Sequence, residues 1–535
     1  MLRRGSVLLT CAVLVFAGQA AAAGGAAAEP GDECTGSGDA LRYLVLFDPG
    51  TSRAAARQEI AAACGRPTVY YPEIAVAVAT SRSPAFAERI GADRTVSAQR
   101  LRGDEPTGRT QRQDPDRQAP QTALGSGDLS AAQWDMRAIG ADVARAVEPG
   151  SRTVVVGVLD SGVDAGHPDL SRAVDPRLSA SCLSGAPERS AASWAPTTSE
   201  HGTHVAGIIA AADDGQGITG VAPGVRLASV KVVDDQGYVE PQAAVCGFMW
   251  AARHGIPITN SSFFVTPGTM PCAPSDGYDV VREAVARAVG YAESAGTLNV
   301  AAATNEAVHL TASPESGAAD DTSRGTCEAL PAGLRDTVAV SAVGRDRVKA
   351  GYSSYGLGVI DLAAPGGTDG DCVLSTVPGG YAPLCGTSMA APHVTGVAAL
   401  LASREPGASP ERLRDVLAEQ AQAIACPGDY DLTGNGSQDA YCAGYEGYNG
   451  FYGRGMVDAL AAVSGSPEQE ASEPARRGVD AEQSQRDQVA DVPEHRRVEH
   501  PGGQSAQELD PVVERNALND VLQGLGVDRQ RVEGR

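Results

Sequence analysis

Basic side chains are scarce in this chain relative to acidic ones. The 535 residues include 43 lysines and arginines against 66 aspartates and glutamates, a formal net charge of −23 at pH 7. Nucleic-acid binding needs a basic surface that neutralises phosphates, so this balance argues against a nucleic-acid partner. An acidic surface is instead a solubility feature, of the kind expected for an exported protein.

Apolar runs long enough to cross a membrane are also lacking. Arg3 and Arg4 precede the apolar run Val7–Ala17, and small residues follow it up to Ala28. This layout is typical of a secretory signal peptide, whereas a membrane anchor would need about 20 apolar residues. We therefore predict a signal peptide at 1–28, a secreted product, and no membrane span in the mature form.

Cysteine spacing of the metal-binding kind is missing as well, because the chain has no CxxC motif and no clustered Cys/His pattern. Cys11 would leave with the signal, which leaves ten of the eleven cysteines. An even number in an exported chain predicts disulfides. The short separations favour Cys372–Cys385 and Cys426–Cys442 as local pairs, and Cys34 with Cys64 could staple the N-terminal part. Spacing leaves the remaining connectivity open.

The hydrophobic pattern divides the rest of the chain into four parts. Residues 29–102 are predicted to be a small α/β unit, 103–132 a polar linker with the maturation cleavage, 133–463 the main domain, and 464–535 a disordered tail. The tail has no aromatic residue, no cysteine and densely mixed charge. In the α/β unit, strands and helices alternate: Leu41–Phe47 (strand), Ser52–Ala63 (helix), Thr68–Val78 (strand) and Pro84–Ile90 (helix).

Short apolar strands alternate with small-residue helices through the main domain. Near-continuous apolar runs, rather than strict alternation, are typical of a parallel sheet covered on both faces. The strands expected are Thr153–Leu159, Leu227–Val233, Ile256–Asn260, Thr297–Ala302, Thr337–Val343 and Val359–Ala363. The helices expected include Gly202–Ala211, Asp279–Ser294 and Met389–Ser403. The fold class predicted is a doubly wound, mostly parallel α/β sheet.

Three segments place a reactive side chain at the end of an ordered element. Asp160 follows a buried strand in VVVGVLDSG, His201 begins a helix in HGTHVAG, and Ser388 begins another in GTSMAAPHVTG. A serine hydroxyl becomes a good nucleophile when a histidine takes its proton, and a buried aspartate holds that histidine in the right tautomer. Helix-start N–H groups can also bind a developing oxyanion. The alternative is that His201 and Ser388 only cap their helices.

These motifs, in the order Asp, His, Ser, closely resemble those of the subtilisin-like serine proteases, the subtilases. The resemblance covers residues 133–463 and implies that Asp160, His201 and Ser388 form a catalytic triad. It also implies that Asn305 donates to the oxyanion, and that His204 is a structural neighbour of the site. Residues 29–102 resemble the inhibitor and chaperone prosegment that precedes many subtilases, so a partner of the enzyme would be its own prosegment, besides a peptide or protein substrate.

The sequence departs from the family pattern at two places near the site. Thr304 stands where the family has a glycine before the oxyanion asparagine, and Phe263 follows Ser262 where a glycine is usual in the substrate-pairing strand. The NSSF sequence ending at Phe263 and the QWDMR stretch at 133–137 resemble lantibiotic leader-processing subtilases. Restricted specificity is the prediction, with Ser262, Phe263 and Glu306 binding substrate and Glu306 favouring a basic residue before the scissile bond.

The resemblance implies no cofactor for catalysis but allows structural calcium. Asp169 of HPDL matches a subtilisin calcium ligand, and Asp214 lies in the loop that usually supplies others. A second acidic stretch, from Asp429 to Asp439, begins like an EF-hand loop but has Ala440 where the bidentate Glu belongs, so a polar turn is expected there. The main alternative to an active endopeptidase is a subtilase scaffold without activity that binds peptides.

Overall fold

A computed structural model describes residues 34, 38–103, 122–123, 127–265, 272, 276–311, 327–368 and 370–464. The chain divides into two units, Met1–Ser466 and Pro467–Arg535, and the second lies outside the described residues. The predicted signal peptide, most of the predicted linker and nearly all of the predicted tail also lie outside them. Among the helices described, none combines the length and apolar character needed to cross a membrane.

The N-terminal part folds as a four-stranded antiparallel sheet with helices. Its elements are β1 (Leu41–Leu46), α1 (Arg53–Ala62), β2 (Gly65–Tyr71), β3 (Val76–Ser81), α2 (Phe86–Ile90), β4 (Thr95–Val96) and α3 (Ala98–Gly103), with sheet order β2-β3-β1-β4. Ser52 caps α1 by accepting the Ala55 N–H, which satisfies a helix-start donor. The prediction of one strand over Thr68–Val78 is wrong, because a turn at 72–75 divides it into β2 and β3, with Ala75 at φ 52°.

The main domain contains the remaining elements. The helices are α4 (Trp134–Ala138), α5 (Ala141–Val147), α6 (Ala191–Trp194), α7 (His201–Ala210), α8 (Pro241–Arg253), α9 (Tyr278–Ser294), α10 (Thr387–Arg404), α11 (Pro410–Glu419) and α12 (Ala459–Ser464). The strands are β5 (Thr122–Ala123), β6 (Val155–Asp160), β7 (Ala180–Ser181), β8 (Arg226–Lys231), β9 (Ile258–Ser261), β10 (Leu298–Ala302), β11 (Thr337–Val343), β12 (Leu362–Pro365), β13 (Val373–Val377), β14 (Gly380–Leu384), β15 (Gly444–Tyr445) and β16 (Tyr448–Asn449).

A seven-stranded sheet in the order β12-β11-β10-β9-β6-β8-β7 forms the centre of this domain, and every pair in it is parallel. Buried side chains of α7 and α10 belong to one core cluster, and those of α8 and α9 to another. The prediction of a parallel, doubly wound sheet is therefore confirmed. The chain starts this sheet at β6, adds β7 and β8 on one side, and then adds β9, β10, β11 and β12 on the other. Such a reversal opens a crevice at the carboxyl ends of the strands, where α/β proteins build their sites.

Five disulfides link ten cysteines. They are Cys34–Cys64, Cys182–Cys246, Cys272–Cys327, Cys372–Cys385 and Cys426–Cys442. Both local pairs expected from the sequence are among them, and Cys34 does pair with Cys64. The acidic stretch in the last loop satisfies its own backbone: Asp431 accepts the N–H groups of Asn435 and Gly436, as expected for a polar turn.

The QWDMR stretch ties the start of the main domain to its central helix. Asp135 in α4 lies 3.0 Å from Nε2 of His393 in α10, and both side chains are fully buried. The Gln133 amide makes paired hydrogen bonds with the backbone N–H and carbonyl of Thr219. These contacts anchor the segment that immediately follows the predicted linker.

The N-terminal sheet rests on helices α8 and α9 of the main domain. Leu44, Leu46 and Tyr71 join the same buried cluster as residues of these helices. The Arg287 guanidinium in α9 donates to the carbonyls of Phe47 and Ile74 at 3.0 and 3.2 Å. Arg253 in α8 forms a bidentate ion pair with Glu73, and the Tyr71 hydroxyl donates to the Gly185 carbonyl at 2.7 Å. The surface between the two parts is thus both apolar and hydrogen-bonded.

Candidate active site

Asp160 and His201 meet at the carboxyl edge of the central sheet. Asp160 ends β6, His201 begins α7, and Nδ1 of His201 lies 2.8 and 3.0 Å from the two Asp160 carboxylate oxygens. Asp160 is fully buried and His201 is nearly so. A Cβ at Gly202 would clash with the Gly162 carbonyl oxygen, so glycine lets the helix start approach the end of β6 this closely.

The charge of Asp160 controls the protonation of His201. Burial disfavours the imidazolium, but the charge and hydrogen bond of Asp160, together with the charge of Glu200, outweigh it and raise the pKa of His201 above its ordinary value. The Ser161 N–H donates to Asp160 Oδ1 at 2.7 Å, and the Ser161 hydroxyl accepts the Gly202 N–H. Ser161 therefore holds both the carboxylate and the helix start in place.

Ser388 lies at the second residue of α10, where helix N–H groups lack partners within the helix. The Thr387 N–H donates to Asn305, and those of Met389 and Ala390 donate to the Gly386 carbonyl. Within the described part of the chain, the Ser388 N–H is left without an acceptor. The Ser388 hydroxyl donates to the Ser262 carbonyl at 3.3 Å, so it must rotate to reach a base.

Asn305 follows β10 and faces the start of α10. Its Oδ1 accepts both the N–H and the hydroxyl of Thr387, at 2.9 and 2.8 Å. Because a backbone N–H can only donate, these bonds fix which end of the amide is oxygen, and the NH₂ group is left for another acceptor. A Cβ built at Gly386 would lie 3.2 Å from Asn305 Nδ2 and 3.6 Å from the Ser388 nitrogen. Two N–H donors therefore border the small space that glycine keeps open.

The three residues predicted to bind substrate, Ser262, Phe263 and Glu306, have different environments. Ser262 is fully buried; its hydroxyl donates to the Ser388 carbonyl at 2.8 Å, so it supports the start of α10. The Phe263 ring is 3% exposed and belongs to the core cluster that includes Val265 and Leu330, so this side chain lies in the core, and substrate binding at this residue stays a prediction. Glu306, beside Asn305, is exposed.

His204 lies one helical turn after His201 but has a different environment. Its Nε2 lies 3.1 Å from the Val373 carbonyl and 3.0 Å from the Ala382 carbonyl. These contacts link α7 to the hairpin of β13 and β14. Burial, followed by the nearby charge of His201, lowers the pKa of His204 to about 3. The imidazole is therefore neutral near physiological pH, and its contacts are those of a structural side chain.

The two carboxylates predicted to hold calcium, Asp169 and Asp214, are hydrogen-bonded within the protein. The carboxylate of Asp169 accepts the Tyr381 hydroxyl at 3.2 Å and the Ile218 N–H at 3.3 Å, and burial raises its pKa. Asp214 is exposed and accepts the Gln216 N–H. In the described ranges, no three His, Cys, Asp or Glu side chains group as metal ligands. Calcium requires several oxygen ligands, so a site at Asp169 would need further oxygens besides this carboxylate.

Two residues of this site were not predicted from the sequence. Thr387 anchors the Asn305 amide, and Ser161 supports Asp160. Both directly adjoin a residue that was predicted, within the GTSMA and DSG motifs. That adjacency is the signal that could have identified them.

One edge of the parallel sheet thus carries the groups that define the class of serine hydrolases: a carboxylate–imidazole pair, a serine at a helix start and two N–H donors. The subtilase family model matches residues 151–455. The chain belongs to the subtilase family, whose subtilisins are serine endopeptidases.

Known relatives agree with this assignment. Subtilisin NAT of Bacillus subtilis subsp. natto is 32% identical over 318 residues, covering 58% of this chain and 65% of that protein. Subtilisin of Bacillus pumilus is 32% identical over 58% of this chain and 90% of its own length. The chain thus spans slightly less than two thirds of the first of these relatives and most of the second.

A solved structure shares the fold over a longer stretch. The epidermin leader peptide processing serine protease of Staphylococcus aureus matches with a TM-score of 0.58 and 19% identity, over 80% of this chain and 98% of that one. At this identity the match establishes the fold alone.

Proposed function

We propose that this chain is a secreted serine endopeptidase that hydrolyses peptide bonds through an acyl-enzyme on Asp160, His201 and Ser388. The observation that carries the proposal is the buried 2.8 Å contact between Asp160 and His201, at the sheet edge that α7 and α10 both approach. A buried carboxylate at Nδ1 leaves Nε2 free to accept a proton. His201 is the base with the right environment to activate a serine.

The proposed reaction uses side chains and backbone of this chain alone. Ser388 Oγ attacks the scissile carbonyl carbon while His201 Nε2 takes its proton, and the carbonyl oxygen becomes an oxyanion between Asn305 Nδ2 and the Ser388 N–H. The carbon–nitrogen bond then breaks, and His201 returns the proton to the leaving amine. Water, deprotonated by His201, then attacks the acyl carbon; the bond from that carbon to Ser388 Oγ breaks, His201 returns the proton to Ser388 Oγ, and the acid is released.

Maturation by removal of residues 29–102 is part of the proposal. The bidentate Arg253–Glu73 pair and the two carbonyls held by Arg287 support a prosegment that docks on α8 and α9. After cleavage in the predicted linker at 103–132, such a unit would stay bound as an inhibitor until it is degraded.

The substrate we propose is a leader-type peptide cut at one site. The resemblance of the NSSF and QWDMR stretches to leader-processing subtilases motivates this class, and the exposed Glu306 beside Asn305 favours a basic residue before the scissile bond. With Glu306→Gln, we expect kcat/KM for a peptide with arginine before the scissile bond to fall ~5-fold, which corresponds to the ~1 kcal/mol that an exposed ion pair can contribute. A matched leucine peptide is the control, and equal losses on both peptides would contradict a role for Glu306 in recognition.

The decisive experiment compares the secreted wild type with Ser388→Ala by intact mass, N-terminal sequencing and fluorophosphonate labelling. We expect the wild type to begin within 103–132 and to take up one label, and the variant to keep its prosegment and stay unlabelled. A wild type that is uncut and unlabelled would instead identify a scaffold without activity.

A further inference from the structure

Thr304 has a backbone conformation that is costly for its side chain. Its φ is +82°, in the left-handed region, where the branched Cβ of a threonine is strained. This explains why the subtilase pattern has glycine here. A threonine at such a position requires compensation from its surroundings.

The compensation comes from Ser354, which is fully buried. Its hydroxyl lies 2.8 Å from the Thr304 hydroxyl, and its N–H donates to the Thr304 carbonyl at 3.0 Å. The same hydroxyl accepts the Val308 N–H at 3.3 Å. One serine thus holds both ends of the loop that presents Asn305.

The segment around Ser354 also reaches the start of α10. The Tyr352 carbonyl accepts the Ala307 N–H at 2.8 Å, and the Tyr352 hydroxyl donates to the carbonyls of Gly366 and Gly367. The Gly366 carbonyl in turn accepts the N–H of Gly386, two residues before the nucleophile. Hydrogen bonds therefore connect the Asn305 loop to the backbone that carries the other oxyanion donor.

We propose that Thr304, through its hydroxyl contact with Ser354, is a positioning residue that fixes the distance between the Asn305 amide and the Ser388 N–H. The inference rests on the proposed function. Two sets of hydrogen bonds thus connect the Asn305 loop to the start of α10. One is the direct contact between Asn305 and Thr387, and the other runs through Thr304, Ser354 and Tyr352. An oxyanion forms only in the transition state, so a misplaced donor lowers kcat without weakening substrate binding.

The test is Thr304→Val, which keeps the volume and the β-branch but removes the hydroxyl. Complete loss of an asparagine donor costs ~10²–10³-fold in kcat, a magnitude measured on subtilisin, a relative of this chain. We expect Thr304→Val to lower kcat by ~10-fold with KM unchanged, because a loosened donor retains part of its effect. Thr304→Ser, which keeps the hydroxyl, should stay within about 2-fold of the wild type. Active sites are counted by fluorophosphonate titration of the full secreted chain.

Thr297→Val is the matched control. Thr297 is equally buried, lies just before the other end of β10, and donates its hydroxyl to the Ile256 carbonyl at 2.8 Å. Its loss should lower the melting temperature and leave kcat unchanged. In an Asn305→Ala background, Thr304→Val should have no further effect on kcat, since the donor it positions is gone.

The outcomes separate this inference from the proposed function. If the wild type takes no fluorophosphonate label, the proposed function fails and the positioning role fails with it. If labelling and turnover are normal but Thr304→Val has wild-type kcat, only the positioning role is overturned. Equal losses of kcat in the wild-type and Asn305→Ala backgrounds would also overturn it, because Thr304 would then act independently of Asn305.

Discussion

Replacing Asp160 with asparagine isolates the charge beside His201. Asp160 Oδ1 accepts the Ser161 N–H at 2.7 Å, so the new amide must keep its oxygen there. Its NH₂ group then takes the place of Oδ2, 3.0 Å from His201 Nδ1, while the amide oxygen stays at the position of Oδ1, 2.8 Å from Nδ1, without the negative charge. A donor at that position stabilises the tautomer that carries its proton on Nε2, and this tautomer cannot accept the proton of Ser388. We expect kcat at pH 8 to fall by about 10⁴-fold, the loss that this change causes in a serine-protease triad.

The pH dependence of kcat/KM tests the same charge in a second, independent way. The base must be unprotonated, and the pKa of His201 is raised mainly because Asp160 outweighs the effect of burial. Wild-type kcat/KM should therefore rise with pH through an apparent pKa above about 6.5. In Asp160→Asn that charge is gone while burial remains, so the rising limb should move to lower pH.

The assay is kcat/KM from pH 5 to 10 on titrated active sites, with Asp164→Asn as the matched control. Asp164 lies four residues further along the same loop, and its carboxylate accepts the Gly166 N–H. The control should keep both the rate and the profile of the wild type. The reasoning is refuted if Asp160→Asn keeps a kcat within tenfold of the wild type and shows the same apparent pKa in its kcat/KM profile.

Three further predictions concern stability and docking. Burial lowers the pKa of Lys349 from 10.5 to about 7. Between these two pH values the unfolded chain binds more protons than the folded one, so the free energy of unfolding should rise with pH across that window. Melting temperatures measured against pH should lose this rise in Lys349→Met, and the same pH dependence in variant and wild type would contradict the prediction. The Tyr381 hydroxyl donates to the buried Asp169 carboxylate, so Tyr381→Phe should lower the melting temperature by about 2–4 °C. If calcium binds at Asp169, a chelator should also lower the melting temperature, and an unchanged value would contradict the calcium prediction. Tyr71→Phe should make the amide hydrogens of β2 exchange ~10-fold faster in the full Ser388→Ala chain, because a buried carbonyl of the main domain loses its donor. Tyr70→Phe, which loses a hydrogen bond within the N-terminal part, should leave that exchange rate unchanged.

The sequence predicted five of the seven sheet strands to within two residues at each end, because buried parallel strands are continuous apolar runs; the predicted strand Val359–Ala363 begins three residues before β12, and the two-residue β7 was missed. Thr337–Val343 has the predicted bounds, and the predicted helix Asp279–Ser294 differs from α9 by one residue. The division of β2 from β3 was missed for a local reason. The apolar pattern continues through the turn at 72–75, where Ile74 is buried, so periodicity gave no sign that the chain reverses.

What the sequence determined by itself is the inventory of reactive groups and the element on which each one lies. Motif spacing is local, so Asp160 at a strand end and Ser388 at a helix start follow from a few neighbouring residues. Only the tertiary structure decided that Phe263 turns into the core, that Tyr381 binds Asp169, and that Ser354 supports a strained Thr304. Each of these contacts joins segments that are distant in the chain or depends on which face of the sheet is covered. Strand order and burial set them, and no local pattern encodes either.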